Sequence, residues 1–500
     1  MAYVIHALII YIVFFCSVFC KKQKPNILFI LADDYGYNDI GYHGSNIRTP
    51  NLNRLADGGV VLENYYVQPL STPTRSQLLS GRYQIHTGLQ HGDIKNAQPN
   101  GLPLNIPTLA NKLQDAGYST HAVGKWHLGF YRKEFLPLNR GFDTHYGFLT
   151  GSEDHYSHRS CGMVLKGKPD ECGTDFRDGF DPFNTSRTYS TELYRDRAMD
   201  IVSKHDPTKP LFMYLALQAM HTPLQVPKEY LENLAYLYGP RKIYAGMVIA
   251  MDQAIGKIVS AFQDKGLWNN TLLIFSTDNG GLVKQGGGSN WPLRGFKGSL
   301  WEGGIRGVAF VHGDILGRRQ VVSNDLMHVS DWYPTLVNLA GGSLNDTLPL
   351  DGVDQWKMLS EGSASARDTI LHNIDPVTAP IGERVYKDTF DTRVRAALRW
   401  KQWKVITGNP GNGSWVPGEC SGLEAKRGSG GEPTQNLWLF DLSRDPNEMD
   451  DLSNVYPDIS RKLLGMLEEA NRTAVPCRYP DPDPAANPLN FQGFWGPWVS

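Results

Sequence analysis

Runs of apolar residues alternate with amphipathic helical patterns from about residue 25 to residue 340. The first run, residues 26–32 (NILFILA), is apolar after its first position, which is typical of a strand covered on both faces. Alternation of such strands with helices predicts a mostly parallel sheet flanked by helices. The predicted strands are residues 26–32, 118–123, 211–217, 271–276 and 305–312, and the predicted helices are residues 107–116, 192–204, 241–264 and 331–339.

The pattern changes after about residue 360, where apolar runs become short and tight turns separate them. These runs predict antiparallel strands, and residues 459–469 predict one helix packed on them. Residues 408–433 are rich in Gly, Ser and Pro and predict a loop. The short strands are residues 396–400, 403–407 and 437–442.

Length and composition agree with a two-domain protein. The chain has 500 residues, which exceeds one ordinary core, and its 41% apolar content excludes a disordered chain. Its 49 Lys+Arg against 51 Asp+Glu leave a net charge of -2, so no nucleic-acid partner is expected. We expect an α/β domain over residues 25–360 with a large mostly parallel sheet, and a small α+β domain with an antiparallel sheet over residues 361–500.

The first 20 residues are almost wholly apolar, and Lys21, Lys22 and Lys24 follow them. This predicts a signal peptide over residues 1–20, with an N-terminal membrane anchor as the alternative. Cleavage is favoured because globular patterning begins at Pro25. We therefore expect the secretory pathway, a secreted or lysosomal location, and no stable membrane span after cleavage.

Cysteines and glycosylation motifs point to the same route. Of the six cysteines, two lie in the predicted signal peptide, and the other four allow three pairings. Local pairing of Cys161 with Cys172 across a short polar loop is preferred, which leaves Cys420 with Cys477. Five sequons predict a glycoprotein. They begin at Asn184, Asn269, Asn345, Asn412 and Asn471.

Polar side chains follow two of the predicted strands directly. Asp33 and Asp34 end the first strand, and Asp278 and Asn279 follow the strand over residues 271–276. In open α/β sheets, ligands lie at the carboxyl ends of strands. Carboxylate and amide oxygens without cysteine suit Ca²⁺ or Mg²⁺ rather than zinc. The alternative is that these residues are helix caps and turn residues.

A second cluster lies in residues 69–81 (PLSTPTRSQLLSG). Ser71 is predicted to be a helix N-cap with Pro73 in the first turn, so a group at Ser71 would face the positive end of a helix. Arg75 lies one turn further on. The alternative is a well-capped helix with a surface arginine.

Cationic side chains form a third set. Lys125 and His127 alternate just beyond the strand over residues 118–123, so both are expected on one side. His221 follows the strand over residues 211–217, and Lys297 lies in a loop bracketed by glycines, which allows close approach of a ligand. Taken together, these positions predict a site rather than isolated structural residues.

With these motifs the chain resembles a sulfatase of the alkaline-phosphatase-like superfamily, most closely the arylsulfatase B (N-acetylgalactosamine-4-sulfatase) branch. Residues 69–81 are similar to the first sulfatase signature, with Ser80 where Thr, Ala or Arg is usual, and residues 117–128 (GYSTHAVGKWHL) match the second. The likeness extends from about Pro25 to the C-terminus. Further similar stretches are MHTPLQVP, STDNGG, WPLRGFKGSLWEGGIRG, HVSDWYPT and LWLFDLSRDPNEMDDLS.

The resemblance implies one Ca²⁺ ion held by Asp33, Asp34, Asp278 and Asn279, together with the residue at position 71. That residue is normally a cysteine oxidised to formylglycine. Its hydrated aldehyde attacks sulfur, and the sulfated product collapses to release sulfate.

The resemblance also implies roles for the basic residues. Arg75 would support the diol and the metal site, and Lys125 and Lys297 would bind sulfate oxygens. His127 would take a hydroxyl proton to help eject sulfate, and His221 would stabilise or protonate the leaving oxygen.

Position 71 departs from the family, because it is serine. Formylglycine is therefore expected at Ser71 only if the residue is matured. The first hypothesis is an arylsulfatase-type hydrolase of a sulfated sugar or small sulfate ester, and the second is an inactive relative that binds sulfated ligands. A phosphate-ester hydrolase ranks last, because Lys125, His127 and Lys297 take the place of a second metal. No motif specifies an oligomeric state.

Overall fold

The computed structural model describes residues 23–417, apart from residues 184 and 186, and residues 435–500. The predicted signal peptide, the sequon at Asn184 and Cys420 lie outside the described residues. The strands are β1 (Asn26–Ala32), β2 (Val60–Tyr66), β3 (Ser119–Lys125), β4 (Thr144–Phe148), β5 (Arg159–Gly162), β6 (Glu171–Thr174), β7 (Arg177–Asp178), β8 (Asp181–Pro182), β9 (Leu211–Ala216), β10 (Thr271–Thr277), β11 (Ala309–His312), β12 (Val321–His328), β13 (Thr369–Asp375), β14 (Arg395–Trp400), β15 (Trp403–Thr407) and β16 (Leu437–Asp441). The α-helices are α1 (Pro50–Asp57), α2 (Ser71–Ser80), α3 (Leu109–Asp115), α4 (Ser190–Lys204), α5 (Gly239–Asp264), α6 (Glu302–Ile305), α7 (Trp332–Leu339), α8 (Trp356–Glu361) and α9 (Pro457–Arg472).

The large sheet has the strand order β12-β2-β11-β10-β1-β9-β3-β4-β7-β8. Its central strands β10, β1, β9, β3 and β4 run parallel, which confirms the predicted α/β class. Residues 305–312 are predicted as one strand, but only residues 309–312 form one. The chain first forms the short helix α6, and β11 then returns antiparallel to β10.

Strand β1 is buried along its whole length, as its apolar run predicts. Ile27, Phe29 and Leu31 pack into the core beneath α2, α3 and α7. Leu28 and Ile30 face the opposite core, beneath α1, α4 and α5. Each such side chain contributes about 1.5–3 kcal/mol when it is fully buried. The sheet is therefore fixed from both sides, and only its strand ends are free to form a site.

Helix α5 is, among the described residues, the one helix long and apolar enough to cross a membrane by length and composition. In its most apolar stretch 67% is buried inside the protein. Met247, Val248, Met251 and Ile255 pack against the large sheet, so the apolar character of this helix is that of a core helix.

The small sheet has the order β13-β14-β15-β16 and is antiparallel throughout. Leu463, Leu464 and Leu467 of α9 cover one face, as the predicted α+β unit requires. Trp301 lies in the core on the other face, against Trp438. The exact boundary between the two domains stays a prediction.

A fully buried ionic cluster joins the small sheet to the large domain. Lys404 Nζ on β15 donates to Glu302 Oε1 at 2.9 Å and to Glu448 Oε1 at 2.7 Å. The Glu302 backbone N–H donates to Glu448 Oε2 at 2.7 Å. Burial raises the pKa of Glu448 to about 7, with Lys404 opposing the shift and Glu302 adding to it.

This cluster predicts that Glu448 stabilises the folded protein more in mild acid than at neutral pH. Because the pKa of Glu448 is raised on folding, its stabilising protonation is complete below about pH 4.5 and is lost as pH rises through 7. We expect the Glu448 contribution to the free energy of unfolding to increase by about 2 kcal/mol from pH 7.5 to pH 5. Denaturant unfolding of wild type and Glu448→Gln across this range tests it, and parallel pH dependences for the two proteins would contradict it.

The disulfide between Cys161 and Cys172 is confirmed, and it pins β5 to β6. Cys477 is half-buried and bonds to no described cysteine. Its predicted partner, Cys420, lies in the part of the chain that is not described.

Candidate active site

Four adjacent parallel strands end at one edge of the large sheet, in the order β10, β1, β9, β3. Ala32 of β1 is in register with Thr277 of β10, so the next residues of both strands meet. The Asp278 backbone N–H donates to the Ala32 carbonyl at 3.0 Å. This register explains why polar residues far apart in sequence converge here.

The acidic residues predicted after β1 and β10 do come together. Asp33, Asp278 and Asn279 are fully buried, and Asp34 is nearly so. Asn279 Nδ2 donates to Asp34 Oδ1 at 2.7 Å, and the Asp34 backbone N–H donates to Asp278 Oδ1 at 3.2 Å. Potential ligand atoms of Asp33, Asp34 and His221 lie within 4.8 Å of one another. A buried set of carboxylate oxygens fits a divalent metal ion with a preference for oxygen.

Ser71 is the first residue of α2, and Leu70 is the N-cap. The prediction that Ser71 itself is the N-cap is therefore wrong. The Ser71 hydroxyl does not cap the helix because it is turned toward the acidic cluster. Ser71 Oγ lies 3.3 Å from Asp33 Oδ1 and 3.4 Å from Asn279 Oδ1. Lys125 Nζ donates to it at 3.1 Å.

Each aspartate of the cluster is paired most closely with a different cation. Arg75 Nη2 lies 2.8 Å from Asp278 Oδ2, Lys125 Nζ lies 2.6 Å from Asp33 Oδ2, and Lys297 Nζ lies 2.7 Å from Asp34 Oδ1. A buried charge left without a partner is costly, so this pairing is what keeps the ionised groups in the interior. The three predicted cations therefore reach the same cluster.

Burial and neighbouring charges set the protonation of these groups. Burial lowers the pKa of Lys125, and Asp33 only partly offsets the shift. Burial also lowers the pKa of Lys297, but Asp34 and Asp33 outweigh it, and the pKa of this lysine is raised. Burial raises the pKa of Asp33, but Lys125 and other cations outweigh it, so the pKa of this carboxyl is lowered. The cluster thus retains charges of both signs.

His127 does not lie on a strand, because β3 ends at Lys125 and His127 has a left-handed backbone with φ of 56°. Strand alternation therefore does not determine the direction of this residue, but its side chain lines the same cavity as Ser71. His127 Nε2 lies 3.0 Å from the Ile94 carbonyl, so Nε2 carries the proton. Nδ1 is buried and has no partner among the described residues. Burial, followed by Lys125, holds the pKa of this imidazole well below its usual range. His127 therefore presents a neutral ring with a free lone pair.

Gly124 is needed immediately before Lys125. It has φ of 103°, and an added Cβ would lie 2.0 Å from the Ala216 carbonyl oxygen. Any other residue would push β3 away from β9 and displace Lys125 from Asp33.

His221 lies beyond β9, with its side chain 17% exposed. Its Nδ1 lies 2.7 Å from the Thr222 carbonyl and its Nε2 lies 3.9 Å from Asp34 Oδ2. Burial, followed by Lys297, lowers the pKa of this imidazole. The Nε2 edge therefore faces the cluster from its open side.

A cavity of about 480 Å³ opens onto this cluster and is lined by Ser71, His127 and His221. Asp93 also lines it and was missed by the sequence reasoning. It lies in a loop with no periodicity, so no pattern in the sequence marks it. Another cavity, of about 500 Å³, lies at the opposite edge of the sheet near Lys24 and Asn270 and contains none of these site residues.

The parallel sheet, with an acidic and cationic cluster around one hydroxyl at its strand ends, defines a protein of alkaline-phosphatase-like fold. A crystal structure of Ps i-CgsB in complex with k-i-k-neocarrahexaose superposes with a TM-score of 0.74 at 29% identity, covering 91% of this chain and 95% of that one. A model of the Sulfatase family matches residues 25–343. The chain therefore belongs to the sulfatase family, whose members hydrolyse sulfuric esters.

Two curated relatives agree over most of the chain. Arylsulfatase J of Mus musculus is 48% identical over 487 residues, covering 95% of this chain and 80% of that protein. N-acetylgalactosamine-6-sulfatase of Sus scrofa is 31% identical over 477 residues, covering 91% of this chain and 87% of that protein. The similarity thus includes the C-terminal part that contains the small sheet.

Proposed function

We propose that this chain is a Ca²⁺-dependent arylsulfatase-type hydrolase that removes sulfate from a sulfated sugar or small sulfate ester. The observation that carries the proposal is the convergence on Ser71 Oγ. One cation and two oxygen ligands from three strand ends lie within 3.4 Å of it. A sugar substrate is supported by the k-i-k-neocarrahexaose bound in the Ps i-CgsB structure and by the name of the relative N-acetylgalactosamine-6-sulfatase.

Ca²⁺ is the proposed metal because the cluster offers hard oxygen ligands and no thiolate. When bound, the ion would neutralise the carboxylates and attract a sulfate oxygen. The residues that would hold it are Asp33, Asp34, Asp278 and Asn279, with the oxygen of residue 71 beside them.

The lysines would bind the sulfate oxygens, and the histidines would transfer protons. Lys125 and Lys297 would hold sulfate oxygens from two sides and stabilise negative charge as it develops. His127 Nδ1 has a free lone pair and would take a hydroxyl proton from residue 71. His221 Nε2, on the open side, would stabilise or protonate the departing oxygen. Because Nδ1 already donates to the Thr222 carbonyl, protonation requires the imidazolium form of the ring. Arg75 would hold Asp278 in place.

The identity of residue 71 decides between turnover and binding. Formylglycine supplies two hydroxyls on one carbon when hydrated, one to attack sulfur and one to expel sulfate. Plain serine has a single hydroxyl, so its sulfate ester has no internal route to release. This favours a second candidate function, binding of sulfated ligands without turnover, for a chain whose Ser71 is unmodified.

Two measurements test the proposed function. The mass of the tryptic peptide that contains Ser71 shows whether two hydrogens have been lost. Hydrolysis of a chromogenic aryl sulfate, with and without chelation of Ca²⁺, separates turnover from binding. Hydrolysis that continues undiminished after complete chelation would rule out the metal-dependent mechanism.

Lys297→Ala is expected to weaken sulfate binding about 10- to 100-fold, because a charged hydrogen-bond donor to the anion is lost. The protein should still fold although Asp34 loses its cation, because the Lys297 side chain lies at the edge of the cluster and is 13% exposed. Titration calorimetry with inorganic sulfate measures the loss, and Lys257→Ala on the exposed side of α5 is the matched control. Normal sulfate binding by Lys297→Ala would show that this lysine is wrongly assigned.

We also propose passage through the secretory pathway, with the protein secreted or lysosomal. The disulfide between Cys161 and Cys172 supports this, because such bonds persist in oxidising compartments. The asparagines of all four described sequons are exposed and accessible to glycosylation. They are Asn269, Asn345, Asn412 and Asn471.

A further inference from the structure

We propose that the outer part of the active-site cavity is a sugar subsite for a glycan that carries one sulfate and is otherwise neutral. In this subsite Asp93 accepts a hydrogen bond from a hydroxyl of the sulfated ring. The inference rests on the proposed function, since the sulfate itself would occupy the cluster around Ser71. It goes beyond that function by stating which class of sugar can bind with its sulfate in that cluster.

Asp93 stands beside the reacting position but belongs to neither the metal ligands nor the cations. The Thr72 backbone N–H, one residue after Ser71, donates to Asp93 Oδ1 at 2.8 Å. Asp93 Oδ2 receives no hydrogen bond from the described residues, and Asp93 lines the cavity. One oxygen therefore fixes the carboxylate, and the other is left for a ligand.

A carboxylate at this position needs a reason, because it repels an incoming sulfate. Burial raises the pKa of Asp93, but Lys297 and the hydrogen bond from the Thr72 backbone N–H act against it, so the pKa is lowered and the group is ionised. An ionised carboxylate is an acceptor only, and the ligand group that suits it is a hydroxyl or amide N–H. An aryl sulfate carries neither beside its sulfate, whereas a sugar ring does.

The other charged groups of the cavity argue against a polyanionic substrate. Lys95 and Lys166 line its outer part, but so do Asp170 and Asp481, in addition to Asp93. Carboxylates thus outnumber lysines outside the sulfate cluster. A second sulfate or a uronic acid would meet net negative charge there, so the lining favours a neutral, hydroxyl-rich neighbour.

The walls of this subsite are tied together before any ligand arrives. Gln98 Nε2 donates to the Pro480 carbonyl at 2.8 Å, and Asn96 Nδ2 donates to Ser160 Oγ at 2.9 Å. Tyr479 lines the cavity and packs edge-on against His91 with ring centroids 4.6 Å apart. A fixed aromatic side chain among polar groups gives the apolar face of a sugar ring a surface to pack on.

The test compares wild type and Asp93→Asn on three substrates. These are a chromogenic aryl sulfate, a neutral disaccharide with one sulfate on its terminal ring, and the same disaccharide with a second sulfate on the neighbouring ring. Asn retains the Oδ1 acceptor for Thr72, so the loop is preserved. We expect Asp93→Asn to lower kcat/KM for the monosulfated disaccharide about 10- to 100-fold. The KM of the Asp93→Asn variant for the aryl sulfate should fall a few-fold, because the substitution removes a charge that repels the sulfate.

Wild type should also prefer the monosulfated over the disulfated disaccharide by about 5-fold or more, corresponding to one unfavourable charge contact. The matched control is Asp264→Asn, at the exposed end of α5, and thermal unfolding checks that both variants are folded. Equal losses on aryl sulfate and disaccharide in Asp93→Asn, or preference for the disulfated sugar, would overturn the inference.

Failure of the proposed function gives a different result. If wild type hydrolyses none of the three compounds, turnover is excluded, and titration calorimetry with the two disaccharides still tests the subsite. Tighter binding of the monosulfated disaccharide, lost in Asp93→Asn, supports the subsite without catalysis. Equal binding of both disaccharides by wild type refutes it.

Discussion

Replacing Ser71 by cysteine and producing the protein in a eukaryotic secretory pathway should raise its turnover of an aryl sulfate by at least about 100-fold over unmodified wild type. The secretory enzyme that makes formylglycine in the sulfatase family acts on cysteine, so the variant would acquire the second hydroxyl that serine lacks. The rest of the site is in place for it. Lys125 Nζ already lies 3.1 Å from the oxygen of residue 71, and His127 Nδ1 is unpaired among the described residues.

The mass of the peptide containing residue 71 must accompany the rate measurement. Ser71→Ala is the control, since it keeps the buried position and removes the only hydroxyl. Ser71→Cys that contains formylglycine and stays inert would show that the pocket has failed for another reason. Wild type with plain serine and full activity would refute the formylglycine mechanism for this chain.

The central fold could be read from the sequence because its strands are buried on both faces. Strands β1, β9 and β10 appear as unbroken apolar runs, and the structure places them side by side. Strand β12 was missed because polar and exposed residues interrupt it, including a register shift between Ser323 and Leu326. The antiparallel direction of β11 depends on the turn made by α6, which no periodicity reveals.

The site was readable wherever a polar residue follows a strand directly, as with Asp33 and Asp278. The structural role of an individual residue was harder to predict. Ser71 has the composition of an N-cap, but its hydroxyl is turned to the acidic cluster, and the helix begins one residue earlier than such a cap requires. Asp93 lies in an irregular loop, and only tertiary packing brings it beside Thr72. Contacts of this kind depend on the whole fold rather than on local pattern.

Asp278→Ala is expected to abolish hydrolysis, by about 1,000-fold or more, and to destabilise the protein by about 3–5 kcal/mol. Asp278 and Arg75 both have fully buried side chains and are joined at 2.8 Å, so the variant leaves an arginine charged and poorly compensated in the interior. Asp33, 3.6 Å from Arg75, is already paired more closely with Lys125. The same substitution removes one of the oxygen ligands proposed for Ca²⁺.

The two effects separate when unfolding is measured with and without Ca²⁺. Ligand bound to the native state alone stabilises it, so wild type should gain thermal stability on addition of Ca²⁺ and Asp278→Ala should gain little. Asp278→Asn keeps the volume and one oxygen but loses the charge that neutralises Arg75, so it should be intermediate in stability and nearly inactive. A folded Asp278→Ala protein with wild-type stability and an undiminished response to Ca²⁺ would remove this residue from the metal site. Asp278 is ion-paired with Arg75, which lies one turn after residue 71 in α2. That result would therefore also show that the start of α2 is not coupled to the proposed metal site through Asp278.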